Sequence, residues 1–346
     1  MSAREHIIPV FVPHLGCPNN CVFCNQRKIS GEERPADADT VHSAVKRAAT
    51  LLPKGAKCQL AFYGGSFTAI PAPQQEELLT AAKIYLDEGF ITSIRLSTRP
   101  DAIDASVLER LHRFGVETVE LGAQSLCDEV LRLSGRGHTA QDVEISSAMI
   151  KSAGFRLILQ MMTGLPGDTP ERTVKTAEKI ISLHPDGVRI YPTVIVRDTA
   201  LFDMWQAGRY KEHTVEDAVS VCAQILPLFD AAGIPVIRLG LNPTDELSSG
   251  AAAGGAYHPA LGELVKGRIL RGEAERILSA AEASSGKKLK RAVLSVAPQR
   301  VSQLTGQHRC NVVYLKEKFL LEDLKIRPAE DLTASGITLA ETDYSI

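Results

Sequence analysis

The chain has 346 residues, 44% of them hydrophobic and 23% charged, with a formal net charge of −2. That length buries a substantial core and suits one large α/β domain with a smaller appended one. No apolar run approaches the ~18 residues needed to cross a bilayer, and the start, MSAREHII, lacks the charged lead and apolar core of an export signal. A cytoplasmic protein without membrane contact is expected.

Short apolar segments rich in β-branched residues alternate with helical stretches along the first 240 residues. Strands are expected at Ile7–Val12, Gln59–Tyr63, Ile91–Ser97, Thr118–Leu121, Arg156–Met161, Val188–Val194 and Pro235–Leu239. Between them lie expected helices at Ala38–Leu52, Gln74–Glu88, Ala105–Phe114, Ala140–Ala153, Pro170–Leu183 and Val215–Ala232. Several carry apolar residues at three- and four-residue spacing. Asp168–Thr169 before Pro170 and Glu171 reads as a helix start. Strand–helix alternation implies a parallel sheet. Six or seven such units fit a partial or complete (β/α) barrel of TIM type, with its chemistry at the C-terminal ends of the strands.

The rhythm breaks after Leu241. Asn242–Gly255, rich in Ser, Ala and Gly, reads as a loop, followed by a helix over about Pro259–Ala283 and a strand at Ala292–Val296. Residues 1–241 are taken as the core barrel and 242–346 as a small α+β extension. Between Gly286 and Arg327 ten Lys and Arg face three acids, a local +7 that leaves −9 on the remainder. Such a segment is either a solvated face or a docking surface for a polyanion.

Seven cysteines, an odd number, argue against a disulfide framework. Cys58, Cys127, Cys222 and Cys310 are scattered and expected to act as small apolar fillers, with Cys310, in the polar context QHRCN, a possible reactive thiol. Cys17, Cys21 and Cys24 are different. Their C-x3-C-x2-C spacing directly follows the first strand. Three thiolates on one loop hold three corners of a [4Fe–4S] cubane, where ferredoxin clusters use four. The fourth iron is then an open coordination site. A zinc site would want a fourth Cys or His, and His14 precedes the loop in awkward spacing.

The loop, including Phe23 before the last cysteine, resembles that of the radical S-adenosylmethionine (radical SAM) superfamily. Three further segments match in order. Tyr63-Gly64-Gly65-Ser66-Phe67-Thr68 resembles the family's Gly-Gly motif, whose backbone binds the SAM amine. Leu121-Gly122-Ala123-Gln124-Ser125 with Ser134-Gly135-Arg136-Gly137-His138 resembles a segment of oxygen-independent coproporphyrinogen oxidase, which implies SAM contacts for Gln124 and Arg136. Gln160 through Gly167 resembles the strand ending in Gly-Leu-Pro, with Gln160 where the oxidase has an Asp that contacts the ribose. Ser97, Thr98 and Arg99, at the end of the third strand, are further candidates beside SAM; Arg99-Pro100-Asp101 equally makes a turn. The resemblance implies that the cluster and SAM generate a 5′-deoxyadenosyl radical, with electrons from a donor such as flavodoxin or ferredoxin.

From Arg189 to Thr199, and on through Leu201–Tyr210, the chain resembles the radical SAM domain of the Elongator catalytic subunit, which modifies tRNA. The resemblance covers about Ile8 to Leu241, with echoes at Tyr257-His258-Pro259. The spacing between the first two cysteines is shorter here, and no acetyltransferase domain is evident, so acetyl transfer is not carried over. The chain reads as a stand-alone bacterial relative with the radical half alone. Arg189, Tyr191 and Arg197 either hold an anionic substrate group by charge-assisted hydrogen bonds or form a salt bridge at the barrel rim. Arg238 and His258 are weaker candidates. Three functions compete: modification of a tRNA nucleoside, radical chemistry on a small molecule in the manner of the oxidase, and a non-catalytic iron–sulfur or haem carrier. Intact Gly-Gly and Gly-Leu-Pro segments disfavour the carrier.

Overall fold

The computed structural model describes residues 6–12, 21–24, 35–53, 55–241, 252–330, 332 and 336–344. Two compact units are present: Met1–Thr214 with Leu228–Tyr257, and Val215–Pro227 with His258–Ile346.

In the first unit seven parallel strands pair in the order β1-β2-β3-β4-β5-β6-β8. They are β1 (His6–Val12), β2 (Cys58–Gly64), β3 (Ser93–Thr98), β4 (Val116–Gln124), β5 (Arg156–Thr163), β6 (Gly187–Pro192) and β8 (Val236–Leu239). Central strands bury Leu60, Phe62, Ile94, Leu96, Val119, Leu121, Leu157 and Leu159 under the helices, as parallel sheets require. The connecting helices begin where local chemistry satisfies their first N–H groups. Asp37 and Thr40 form a capping box ahead of Ala38–Leu51, as do Thr139 and Asp142 ahead of Ala140–Ser152. Thr169 caps Pro170–Ser182, with Pro170 at the first position. Asp168, expected to share that role, turns the other way and accepts from the Gly164 N–H at 2.9 Å.

The sheet is strongly curled. Tyr63 on β2 and Arg189 on β6 are four strands apart, about 19 Å in a flat sheet. Their side chains nevertheless meet at 3.1 Å. Among the described residues β1 and β8 are the two edges, and the result is a half-barrel rather than a closed one.

Two readings of the sequence need correction. The expected strand Val188–Val194 is two elements, β6 and β7 (Val194–Val196), divided at Thr193. Pro192 has no N–H to continue the ladder. Thr193 instead donates its N–H and its hydroxyl to the Thr163 carbonyl, at 2.9 and 2.7 Å. The expected loop Asn242–Gly255 ends in a strand, β9 (Ala252–Gly255), antiparallel to β7; residues 242–251 lie outside the described ones. Small residues that look like loop are required there. A Cβ on Gly255 would fall 2.7 Å from the Thr193 carbonyl oxygen.

The second unit contains the mixed sheet β11 (Asp323–Pro328), β10 (Leu289–Val296) and β12 (Ile337–Tyr344) in that order. Leu270, Leu278, Leu294, Leu304, Leu315 and Phe319 form its core, with helices Leu261–Ser285 and Cys310–Phe319. The basic run is largely neutralised in place. Lys288 pairs with Glu282, Lys290 and Arg291 with Glu322, Lys318 with Glu275, and Arg327 with Glu341. The unit as a whole carries fourteen Lys and Arg against thirteen Asp and Glu. Among the described residues no helix is long and apolar enough to cross a membrane.

Candidate active site

Cys21 and Cys24 sit on one turn, closed by the Cys24 N–H donating to the Cys21 carbonyl at 3.0 Å. The turn is anchored on both sides. The Val22 N–H donates to the Ser134 carbonyl at 3.0 Å, and the Val22 carbonyl accepts from the Leu201 N–H at 2.7 Å. Val22 and Phe23 pack against Ile195, Leu201 and Tyr210. Cys17 lies outside the described residues.

This turn opens onto a cleft at the C-terminal ends of the strands. Gly64, Gly65, Ser66, Ser97, Gln124, Arg136 and Gln160 line it together with the two cysteines. Their arrangement follows from local backbone constraints. Gly64 has φ +107°, and a Cβ there would lie 2.7 Å from the Val12 carbonyl oxygen. The first glycine of the pair is therefore demanded by the chain's own close packing onto β1. Ser66 and Thr98 bond to each other at 2.9 Å, and the Arg99 N–H donates to the Ser66 hydroxyl at 3.2 Å, so these hydroxyls tie β2 to β3. Arg99 grips Asp101 with two N–H groups and donates a third bond to the Arg136 carbonyl at 2.5 Å.

Gln124 adopts φ +64°, a left-handed conformation uncommon outside glycine, at a register shift between β4 and β5. Its side-chain oxygen accepts from the Gln160 amide at 3.3 Å. Gly122 makes room for the arrangement: a Cβ there would meet the Gln124 amide nitrogen at 2.9 Å and Arg136 Nη2 at 3.2 Å. Arg136 donates to the Gly122 carbonyl at 2.6 Å and directs Nη1 at the Cys21 sulfur at 3.4 Å. His138 stands behind, 95% buried, with Nε2 3.2 Å from the Ala123 carbonyl. Burial and then the Arg136 charge lower its pKa to about 4, so at neutral pH it is an uncharged donor to that carbonyl.

At the cleft, which Glu120 also lines, lies a charged layer of which the sequence reading singled out Arg189 and Tyr191 but neither Arg95 nor Glu120. Glu120, 2% exposed, pairs with Arg95 at 2.8 Å and with Arg189 at 3.0 Å. Arg189 also donates to the Tyr63 hydroxyl at 3.1 Å and to the Tyr191 hydroxyl at 3.4 Å. Burial opposes charge on Arg189, but the Glu120 carboxylate and the Tyr191 and Tyr63 phenols together outweigh it and raise its pKa. Burial and then Glu120 push the Tyr63 phenol above its usual value. The signal was present in the sequence: Arg95 and Glu120 interrupt otherwise apolar strand segments at inward positions.

The other candidates separate. Arg197 is exposed, its guanidinium 5.8 Å above the Phe202 ring. Arg238 is half-buried and donates to the Gly240 carbonyl at 2.9 Å. His258 accepts from the Ala260 N–H at 3.1 Å, a turn contact in the second unit. Gly164 of the Gly-Leu-Pro segment is dictated by packing, since a Cβ there would fall 2.1 Å from the His213 ring. Of the scattered cysteines, Cys58 and Cys222 are buried fillers and Cys310 is exposed.

The residues present fit an iron–sulfur cluster with SAM. The donors are soft thiols, and a cationic N–H aimed at one sulfur suits an electron-rich coordinated thiolate. The cleft beside them offers amides, hydroxyls and a guanidinium, the donors and acceptors that a zwitterionic nucleoside needs.

A family model for the radical SAM superfamily matches residues 11–180, and a radical SAM C-terminal domain model matches residues 185–271. Elongator complex protein 3 of Homo sapiens is 31% identical over 192 residues, half of this chain and 35% of that protein. A tRNA uridine(34) acetyltransferase of Methanocaldococcus infernus is 33% identical over 129 residues, 36% of this chain and 24% of that protein. The matched segments span about a third or less of these relatives' lengths. In structure, the archaeal Methanocaldococcus infernus Elp3 lacking residues 1–46 superposes with a TM-score of 0.62 at 21% identity, covering 78% of this chain and 63% of that one.

Proposed function

The chain belongs to the radical SAM superfamily, an enzyme family whose cofactors are a [4Fe–4S] cluster and S-adenosylmethionine, and from that premise we propose that it modifies a tRNA nucleoside. When bound, the two cofactors supply a 5′-deoxyadenosyl radical. In this reading Cys17, Cys21 and Cys24 hold the cluster. Arg136 donates to the Cys21 sulfur and so steadies one ligand. Gly64, Gly65, Ser66 and Ser97 form one wall for SAM, and Gln124, Arg136 and Gln160 the other. Electrons come from a donor such as flavodoxin or ferredoxin.

The observation that carries the RNA substrate is the similarity, over half the chain, to proteins named for Elongator and, over 36% of it, to one named for tRNA uridine(34) acetylation. Acetyl transfer itself is left out, because the similarity covers the radical portion. The charge pairing of the second unit favours a second reading, a small-molecule substrate, since a surface with nearly balanced charge makes a weak electrostatic footprint for RNA.

The deciding experiment is anaerobic turnover of reduced, cluster-loaded protein with SAM. Formation of 5′-deoxyadenosine that rises several-fold on adding tRNA supports the proposal. Formation indifferent to tRNA favours the small molecule, and none at all removes the radical chemistry. Charge reversal at Lys287, Lys288, Lys290 and Arg291 tests the basic run separately: if it contacts tRNA, affinity falls and the salt slope flattens.

A further inference from the structure

Among the described residues, strand register places more positive charge inside the half-barrel than its carboxylates balance. Arg189 on β6 lies directly opposite Arg238 on β8. Residues paired across parallel strands share a face, and Arg189 faces inward because it reaches Tyr63 across the barrel. Arg238 therefore faces inward too. Like charges set opposite each other are destabilising, and more so where burial weakens solvent screening. Glu120 is the inward carboxylate, and it is shared between Arg95 and Arg189. Among the described residues Arg238 has no carboxylate partner; its Nε is bonded to the Gly240 carbonyl. Past the strand starts, among the described residues, three arginines on this face oppose one glutamate.

The hydroxyls beside them are oriented by elimination. A guanidinium can only donate, so Tyr63 and Tyr191 accept from Arg189 through oxygen. Each keeps its own O–H to give, and among the described residues neither O–H has an acceptor. Two phenolic O–H groups held on Arg189, with Arg238 in register beside it on the same face, supply donors for a small oxyanion.

We propose that Arg189 and Arg238, with the hydroxyls of Tyr63 and Tyr191, form an oxyanion subsite inside the half-barrel that holds a carboxylate or phosphate of the substrate next to the cofactor cleft. Glu120 keeps Arg189 extended toward that position and leaves Arg238 uncompensated until the anion arrives. The subsite does not depend on the substrate being RNA. It requires only that the reacting molecule carry an anionic group close to the atom that loses hydrogen.

The test uses the full, cluster-loaded chain under anaerobic conditions, with melting temperature read in sodium chloride, phosphate and acetate at matched ionic strength. A ligand that binds the native state alone raises the melting temperature. We expect a rise of about 3 °C over chloride in phosphate if the group is a phosphate, or in acetate if it is a carboxylate. The rise is lost in Arg238→Gln and kept in Arg238→Lys. In chloride alone Arg238→Gln melts no lower than the parent, because it removes a half-buried charge set opposite another arginine. No anion-specific rise in the parent, an equal rise in Arg238→Gln, or a lower melting temperature of that variant in chloride would each overturn the proposal. A chain that passes but forms no 5′-deoxyadenosine in response to tRNA loses the RNA reading and keeps the subsite.

Discussion

The two basic regions of this protein are opposites in their chemistry. Between Gly286 and Arg327 ten cations follow one another in sequence, yet on the folded surface six meet a carboxylate, three of them one from outside the run, Glu275, Glu282 or Glu341. In the half-barrel Arg95, Arg189 and Arg238 are isolated in sequence, each the one charge in its strand; the fold gathers Arg95 and Arg189 around one glutamate and sets Arg238 in register beside Arg189. Exposed pairs are screened by water and contribute little. Interior charges stand in a medium where each missing partner costs several kcal/mol. A charge run in a sequence thus says less about function than a single charge in a strand that ought to be apolar.

The sharpest way to break this contrast is to remove Glu120. Glu120→Leu strands Arg95 and Arg189 without a counter-charge and is expected to lower stability by about 3–5 kcal/mol, read by urea denaturation. A loss below about 1 kcal/mol would mean that the interior charges are as well solvated as the surface ones. Next in size is the pH response of His138. Its folded pKa of about 4 lies below the ordinary 6.5. The unfolded chain therefore takes up a proton first as pH falls, and stability is full above pH 6.5 and is lost between 6.5 and 4. The loss is expected to reach up to about 3 kcal/mol, and His138→Gln should flatten the pH curve over that window.

Gly164→Ala collides with the His213 ring at a left-handed backbone position and should cost about 1–3 kcal/mol in thermal unfolding. Arg136→Gln removes the cationic donor at the Cys21 sulfur. We expect SAM binding weakened about tenfold, roughly 1.4 kcal/mol, and a more negative cluster midpoint potential in EPR-monitored titration. At the bottom of the scale, Lys290→Glu on the surface run should change stability by less than about 1 kcal/mol. A larger effect there would erase the distinction between the two regions.

Much of the fold was legible in the sequence because a parallel strand must be apolar on both faces and a helix on one. Those two periods recur from Ile7 to Leu239, interrupted at single charges such as Arg95 and Glu120. The elements that escaped have tertiary causes. β9 is Ala-Ala-Gly-Gly, a loop by composition, and pairs only because β7 leaves no space for a side chain at Gly255. β6 ends at Pro192 because the next residue turns its N–H to Thr163. In the site, spacing alone marked Cys21 and Cys24, and motif likeness marked Gln124, Arg136 and Gln160. It could not show that the two glutamines bond each other, or that Ser66 and Thr98 are spent in tying strands together.

The sequence by itself determined the strand–helix rhythm, the three-thiol loop and the order of the motifs around it, because these depend on neighbours within a few residues. Only the tertiary structure decided which charges matter. It brought Tyr63, Arg95, Glu120, Arg189 and Arg238 from five strands onto one curved face and matched the long basic run with acids from other elements. The energy of a charge is set by its distance to other charges and by the water left between them, and neither quantity is written along the chain.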